Sequence, residues 1–70
     1  DYEAKVKNTS GVDFDYFSYE ITLIDKSGVK IATRYTNTIN RFNAGDVALF
    51  SFSTDENFET LELAASYSVE

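Results

Sequence analysis

Residues 16–25, YFSYEITLID, are the segment from which the fold can be inferred. Aromatic and β-branched residues alternate in it with smaller or polar ones, and it contains neither Gly nor Pro, which is typical of a β-strand. Successive strand side chains point to opposite faces of a sheet. The large apolar residues of one face are Phe17, Tyr19, Ile21 and Leu23. The sequence therefore predicts a central strand, from about residue 14 to 25, with one face in the core and the other exposed to water.

A β-hairpin follows this strand. Residues 25–28, DKSG, are turn formers, and Gly28 is suited to the left-handed position of a hairpin loop. We expect the next strand to pair antiparallel with the central one. One face of that strand, which we expect to continue the apolar core face, carries Val29, Ile31, Thr33 and Tyr35.

Three further strands are predicted in the rest of the chain. Residues 2–7 alternate apolar and charged side chains, which suits an edge strand, and residues 8–11, NTSG, form a turn. A strand at 46–54 follows the turn NAGD at 43–46. The last strand, about 59–69, places its odd-numbered apolar residues in the core. The core side of the 46–54 strand carries Ala48, Phe50 and Phe52.

The segments between these strands carry two smaller predictions. Ile39 and Phe42 are large apolar residues in a polar stretch, so we expect them to plug one end of the core. Residues 54–57, TDEN, resemble a helix N-cap followed by acidic first-turn residues, which indicates a single helical turn anchored by Phe58.

Seventy residues with turn signals about every ten positions predict one all-β domain, residues 1–70. The predicted architecture is a small antiparallel immunoglobulin-like β-sandwich of five to seven strands, with an up-and-down barrel as the alternative. The strand count depends on whether residues 33–39 bend into a separate edge strand. Because position 1 is Asp rather than Met, we expect the chain to be part of a longer precursor.

Composition excludes several function classes. The chain has no Cys and no His, so disulfides, the usual zinc and iron–sulfur ligands and a nucleophilic triad are missing. Twelve acidic against six basic residues give a net charge of −6, which opposes binding to nucleic acid or anionic lipid. No apolar run approaches the roughly 18 residues of a membrane span. No cofactor is predicted.

Several of these segments together resemble the FxLYD domain, a short β-domain of bacterial lipoproteins and other surface proteins. The resemblance rests on residues 6–11, 17–25, 26–31 and 43–46, about two-thirds of the chain. In the naming motif, here ITLID, Leu23 and Asp25 agree with the family, while Ile21 and Ile24 replace Phe and Tyr. Ala48 stands where relatives tend to have an aromatic residue. The resemblance implies a non-enzymatic role on the outer face of a Gram-positive-type membrane.

Carboxylates are the only groups suited to acid–base chemistry, and Asp13 with Asp15 form a candidate pair. A turn cap is the alternative interpretation of both. Calcium is the candidate ion, through the oxygen-rich residues 55–59 or a convergence of Asp13, Asp15 and Asp25, although the spacing of a dedicated calcium loop is absent. The tripeptide at Asn8 fits the N-glycosylation sequon, but the need for a turn explains it fully.

Exposed aromatic residues suit carbohydrate or peptide binding. Tyr16, opposite the apolar face of the central strand, is the candidate contact, with Arg34 and Arg41 as polar neighbours. Pairing of a partner with a sheet edge is another route, which Lys5 and Lys7 disfavour at the first strand and which stays open at the far edge.

The alternation pattern, the acidic balance and the FxLYD resemblance together indicate a non-enzymatic module that acts as a spacer or protein-interaction domain. The resemblance implies that this module is extracellular and membrane-anchored through its parent chain. The alternative is a module that binds cell-wall glycan or peptide. The expected partner is a surface protein or a cell-wall component, and the expected state is a monomer or weak dimer.

Overall fold

The computed structural model describes all 70 residues, which form six β-strands and no helix. The strands are β1 (Tyr2–Lys7), β2 (Phe14–Ile24), β3 (Lys30–Tyr35), β4 (Ile39–Phe42), β5 (Val47–Phe52) and β6 (Thr60–Val69). They form two antiparallel sheets, so the predicted all-β sandwich is confirmed. Residues 33–39 do not form a separate strand as a unit: residues 33–35 belong to β3, and a separate strand, β4, begins at Ile39, which makes the count six.

The larger sheet is built on β2, as the 16–25 stretch predicts. One edge of β2 pairs along its whole length with β6. Its other edge is shared by two shorter strands, with β3 pairing the second half of β2 and β4 pairing the first. β2 is therefore the only strand of this sheet with partners on both sides.

The smaller sheet contains only β1 and β5, and it packs face to face with the larger one through aromatic rings. The Phe50 ring lies 5.0 Å from Tyr19, 5.8 Å from Phe42 and 5.9 Å from Phe17, centroid to centroid, in tilted geometries. The buried cluster between the sheets consists of Phe14, Phe17, Phe42 and Phe50. Phe42 thus plugs the core as predicted, and Ile39 packs half-buried against the cluster.

Two irregular residues bring this aromatic cluster together. Phe14 and Phe17 are three positions apart, so a regular strand would place them on opposite faces. The register with β6 shifts between Phe14 and Tyr16, which makes Asp15 an extra, bulged residue and turns both rings inward. Arg41, at the facing position of β4, has a positive φ of 58° and lets Ile39 and Phe42 both face the core.

The turns are fixed by short polar side chains. Asp25 Oδ1 accepts hydrogen bonds from the main-chain N–H of Ser27 (2.8 Å) and of Val29 (3.0 Å), which closes the β2–β3 hairpin. Gly28 has φ 82°, the predicted left-handed conformation. In the β4–β5 turn, Asp46 N donates to Asn43 O (3.0 Å), and Asp46 Oδ2 accepts from Asn43 N (2.9 Å).

The prediction that Val29, Ile31, Thr33 and Tyr35 continue the core face was wrong. The register places Ala32 opposite Leu23 and Arg34 opposite Ile21, so these two residues share the inner face. A shift between Leu23 and Ile24 leaves Ile31 without a direct partner. The hairpin loop and this bulge set the register, and alternation within β3 alone does not report it. The exposed residues are Val29, Ile31, Thr33 and Tyr35.

The prediction of a helical turn at residues 54–57 was also wrong. Thr54 Oγ1 accepts from the N–H of Glu56 at 3.1 Å, so the hydroxyl closes a local turn instead of capping a helix. Phe58 does anchor this segment, because its half-buried ring lies 5.2 Å from the ring of Tyr2.

The prediction for β6 is correct about which residues face inward and wrong about how deeply they are buried. Leu61 and Leu63 lie opposite Leu23 and Ile21, so the odd-numbered apolar residues do face inward. The prediction that they are buried was wrong, because Leu63 is 58% exposed and Tyr67 is 52% exposed. The smaller sheet has only two strands and leaves this edge of the larger sheet uncovered.

Candidate binding surface

Tyr16 lies on the outer face of the larger sheet, where it is 41% exposed. Its direct neighbours across the strands are Asn40 on β4 and Ser68 on β6. Arg41 follows Asn40, and its side chain makes an exposed ion pair with Glu70, with Nη1 to Oε1 at 3.8 Å. The structure therefore places Tyr16 near Arg41 along the strand ladder.

Arg34 does not join this site. It lies opposite Ile21, five residues further along β2, or about 17 Å at strand spacing. It is on the inner face, where its guanidinium donates to Thr33 O at 2.9 Å and lies 3.9 Å from Glu56 Oε1. The three residues expected to form one contact surface are divided between two faces.

The candidate carboxylates have structural partners or lie apart. Asp13 precedes β2, and its Oδ1 accepts from the N–H of Ala44 at 2.9 Å, so it caps the β4–β5 turn, as the alternative interpretation held. Asp15 is the exposed bulge residue. Asp25 closes the hairpin at the opposite end of β2 and does not converge with them. No three Asp or Glu side chains are grouped in a way that could hold a metal ion.

An open apolar groove of about 250 Å³ lies between β1 and β6, where the two sheets separate. Nine of its eleven lining residues are hydrophobic, and only Glu3 and Thr36 are polar. The groove is lined on the β1–β5 side by Tyr2, Val6 and Phe50, and on the β2–β6 side by Ile21, Leu61 and Leu63. At one end the ring of Tyr2 stacks on Phe52, with centroids 5.1 Å apart.

The outer edge of β6 adjoins this groove and has no strand partner. The strand, TLELAASYSV, is ten residues long and contains one charged residue, Glu62, no Lys or Arg and no Pro. Long, uncharged, unpaired edges are templates for pairing with another strand, because their N–H and C=O groups lack partners. β6 therefore combines free main-chain groups with an exposed apolar inner face.

The free edges of β1 and β5 are protected. β1 is short and carries the exposed charges of Glu3, Lys5 and Lys7. The edge of β5 is covered by Asn37, whose Nδ2 donates to Leu49 O (3.1 Å) and whose Oδ1 accepts from Ser51 N (2.8 Å). The amide side chain thus substitutes for a neighbouring strand. β6 has neither a row of exposed charges like that of β1 nor a covering side chain like Asn37.

The same connection ties the two sheets together beside the groove. Thr36 N donates to Tyr19 O at 3.0 Å, and Thr36 Oγ1 accepts from Tyr19 N at 2.9 Å. The next residue, Asn37, binds β5 as described above. These contacts hold the β3–β5 side of the sandwich closed, while the groove opens on the β1–β6 side.

Sequence reasoning left the far edge open for pairing but did not find the groove. The available signal was the composition of residues 60–69, where a single charge stands among apolar and small residues. That composition does not indicate how many strands the opposing sheet contains, and this number determines whether the apolar face of β6 is covered.

No family model matches the chain, no curated protein matches it, and no solved structure matches it. The chain contains no helix with the length and hydrophobicity needed to cross a bilayer. The arrangement of its surface is therefore the basis for assigning a role.

Proposed function

We propose that the domain is a non-enzymatic protein-interaction module that binds an extended partner strand at the edge of β6 and in the adjoining groove. The observation that carries this proposal is the coincidence of an unpaired ten-residue edge with an exposed apolar face. Strand addition of this kind takes affinity from main-chain hydrogen bonds and specificity from side-chain pockets.

The chemistry of the groove supports binding over catalysis. Its lining is almost entirely apolar, and its two polar residues, Glu3 and Thr36, stand among nine hydrophobic ones. Acid–base catalysis needs titratable groups held within hydrogen-bond reach of a bound substrate. Apolar contact area next to free main-chain donors and acceptors instead suits recognition of a polypeptide.

The proposed setting is the outer surface of a bacterium, with the parent chain as membrane anchor. This part of the proposal rests on the FxLYD resemblance. The residues that carry the resemblance have clear structural uses, since Asn8, Asp25 and Asp46 each fix a turn. The matched segments also include Ile21 and Leu23, which are buried in β2. Residues that form a core strand and its turns have structural roles, which fits a non-enzymatic module.

Glycan or peptide binding through Tyr16 has less support. Tyr16 offers an exposed ring, and Arg41 lies near it, but Arg34 is on the other face of the sheet. The apolar groove lies on the β6 side, and Tyr16 is not among its lining residues.

Site-specific photo-crosslinking on intact source cells tests the proposed function. The parent protein would carry p-benzoylphenylalanine in place of Leu63, which lines the groove, or in place of Tyr35, which is 65% exposed on the outer face. We expect protein adducts from position 63 and few from position 35. An absence of adducts at position 63, or equal yields at the two positions, would leave a spacer role and contradict the proposal.

A further inference from the structure

We infer that the strand received by β6 is β6 of a second copy of this chain, paired antiparallel about a two-fold axis. This inference rests on the proposed function and names the partner. A two-fold interface uses the same surface on both copies, so the surface must be complementary to itself. The sequence and geometry of β6 meet that requirement.

The self-complementary register places Ala65 opposite Ala65 of the second copy. Small residues at 64–66 then lie at the axis, where the two strands approach closely. The remaining inward pairs, each formed twice, are Leu61 with Val69 and Leu63 with Tyr67. Side chains directly opposite each other in a sheet share a face, so the apolar inner faces of both copies merge into one surface.

The charges at this edge allow two acidic copies to meet. In this register Glu62 faces Ser68 of the second copy and not another carboxylate. Glu62 and Glu70 also have basic neighbours within their own chain. Lys30 Nζ lies 3.7 Å from Glu62 Oε1, and Arg41 Nη1 lies 3.8 Å from Glu70 Oε1. Like charges directly opposite each other would destabilise the pairing, and here they are absent.

The pairing buries what the monomer leaves exposed. Leu63, Tyr67 and Val69 are each more than half exposed, at 58%, 52% and 56%. One strand from each copy makes a small interface, below about 1,200 Å², which is typical of weak association. We expect a Kd between about 10 μM and 1 mM. Because each copy carries a net charge of −6, added salt should strengthen the dimer.

Cysteine trapping tests both the partner and the register, since the natural chain has no Cys to interfere. Directly opposite Cα atoms in an antiparallel pair are about 4.5–5.5 Å apart, within the span of a disulfide. We expect Ala65→Cys to form a disulfide-linked dimer under mild oxidation at least tenfold faster than the exposed control Tyr35→Cys. An equimolar mixture of Leu63→Cys and Tyr67→Cys should give mainly the mixed disulfide.

Sedimentation of the unmodified chain over the expected concentration range is the second measurement. Concentration-dependent dimer formation together with fast trapping at position 65 supports the inference. Equal trapping rates at positions 65 and 35, or a monomer at all concentrations, would overturn it. Adducts with other proteins at position 63 on cells would then show that the proposed function stands with a different partner, whereas their absence too would overturn both.

Discussion

The side-chain amide of Asn8 donates a hydrogen bond to the main-chain carbonyl of Phe42, 34 positions away, at 3.1 Å. The same Nδ2 donates to Val12 O at 2.7 Å, and Oδ1 accepts from the N–H and the hydroxyl of Ser10. Asn8 is the only buried polar residue of the domain. It joins the β1–β2 turn to the end of β4, beside the aromatic cluster.

Asn8→Asp tests this connection. The substitution keeps the shape and the acceptor for Ser10 but removes both donors, leaving two carbonyls unpaired and facing a carboxylate. We expect the free energy of unfolding to fall by about 3 kcal/mol. The measurement is urea denaturation followed by circular dichroism. Thr9→Ala, at the exposed neighbour, is the matched control and should change stability by less than about 0.5 kcal/mol.

The contacts of Asn8 also bear on the sequon. Glycan attachment uses the side-chain nitrogen, which here is buried and donates two hydrogen bonds. A glycan at Asn8 is therefore incompatible with this fold. Unchanged stability in Asn8→Asp would contradict the role of the Asn8 side chain in joining the β1–β2 turn to β4.

Asn37→Ala exposes the edge of β5. Water can replace the lost contacts to Leu49 O and Ser51 N, so we expect stability to fall by only about 1 kcal/mol. The larger effect should be faster aggregation, because an uncovered edge accepts other strands. Light scattering at fixed temperature measures it. The exposed neighbour Thr38→Ala should aggregate at the rate of the natural chain, and an equal increase in both variants would contradict the edge-capping role.

Gly28→Ala should destabilise the hairpin through backbone conformation alone. A Cβ at this position would meet no atom within 4 Å, but φ is 82°, where side chains other than Gly are strained. We expect a loss of about 1–2 kcal/mol. Gly28→Asn is the informative comparison, since Asn adopts the left-handed conformation more readily and should restore much of the loss. Equal losses for Ala and Asn would point to a cause other than φ.

Leu63→Lys separates folding from association. Leu63 is largely exposed, and a Lys side chain can lay its methylene groups in the groove with its charge in water, so stability should change by less than about 1 kcal/mol. Association through β6 should be lost, because two charges would enter the paired face. The control Tyr35→Lys adds the same charge on the outer face and should leave association intact. Thermal unfolding and sedimentation give the two readouts.

The sequence predicted those features that depend on local chemistry. Alternation identified β2 and the core side of β5, and the turn residues at 8–11, 25–28 and 43–46 all lie in turns. The faces of β3 could not be read in this way, because a bulge at Ile31 shifts the pairing by one residue. The inward turn of Phe14 likewise depends on the bulge at Asp15, which leaves no signal in the hydrophobic pattern.

The binding surface was the least predictable feature, for a related reason. Leu61 and Leu63 have the alternation of a core strand, and they do face inward. Whether they are covered depends on the number of strands in the opposite sheet, which is a property of the whole topology. Tyr16, Arg34 and Arg41 were grouped from their residue types, and the register of β3 then placed Arg34 on the other face.

Amide hydrogen exchange along β6, measured at about 10 μM and at about 1 mM, shows whether β6 is the pairing edge, because these concentrations span weak association. In the dilute monomer, alternate amides of Thr60–Val69 point away from β2 and should exchange fast, while those bonded to β2 exchange slowly. At the higher concentration the fast set should become protected, with β1 and β3 unchanged. Exchange along β6 that does not depend on concentration, or new protection confined to β1 or β3, would contradict the claim that β6 is the pairing edge.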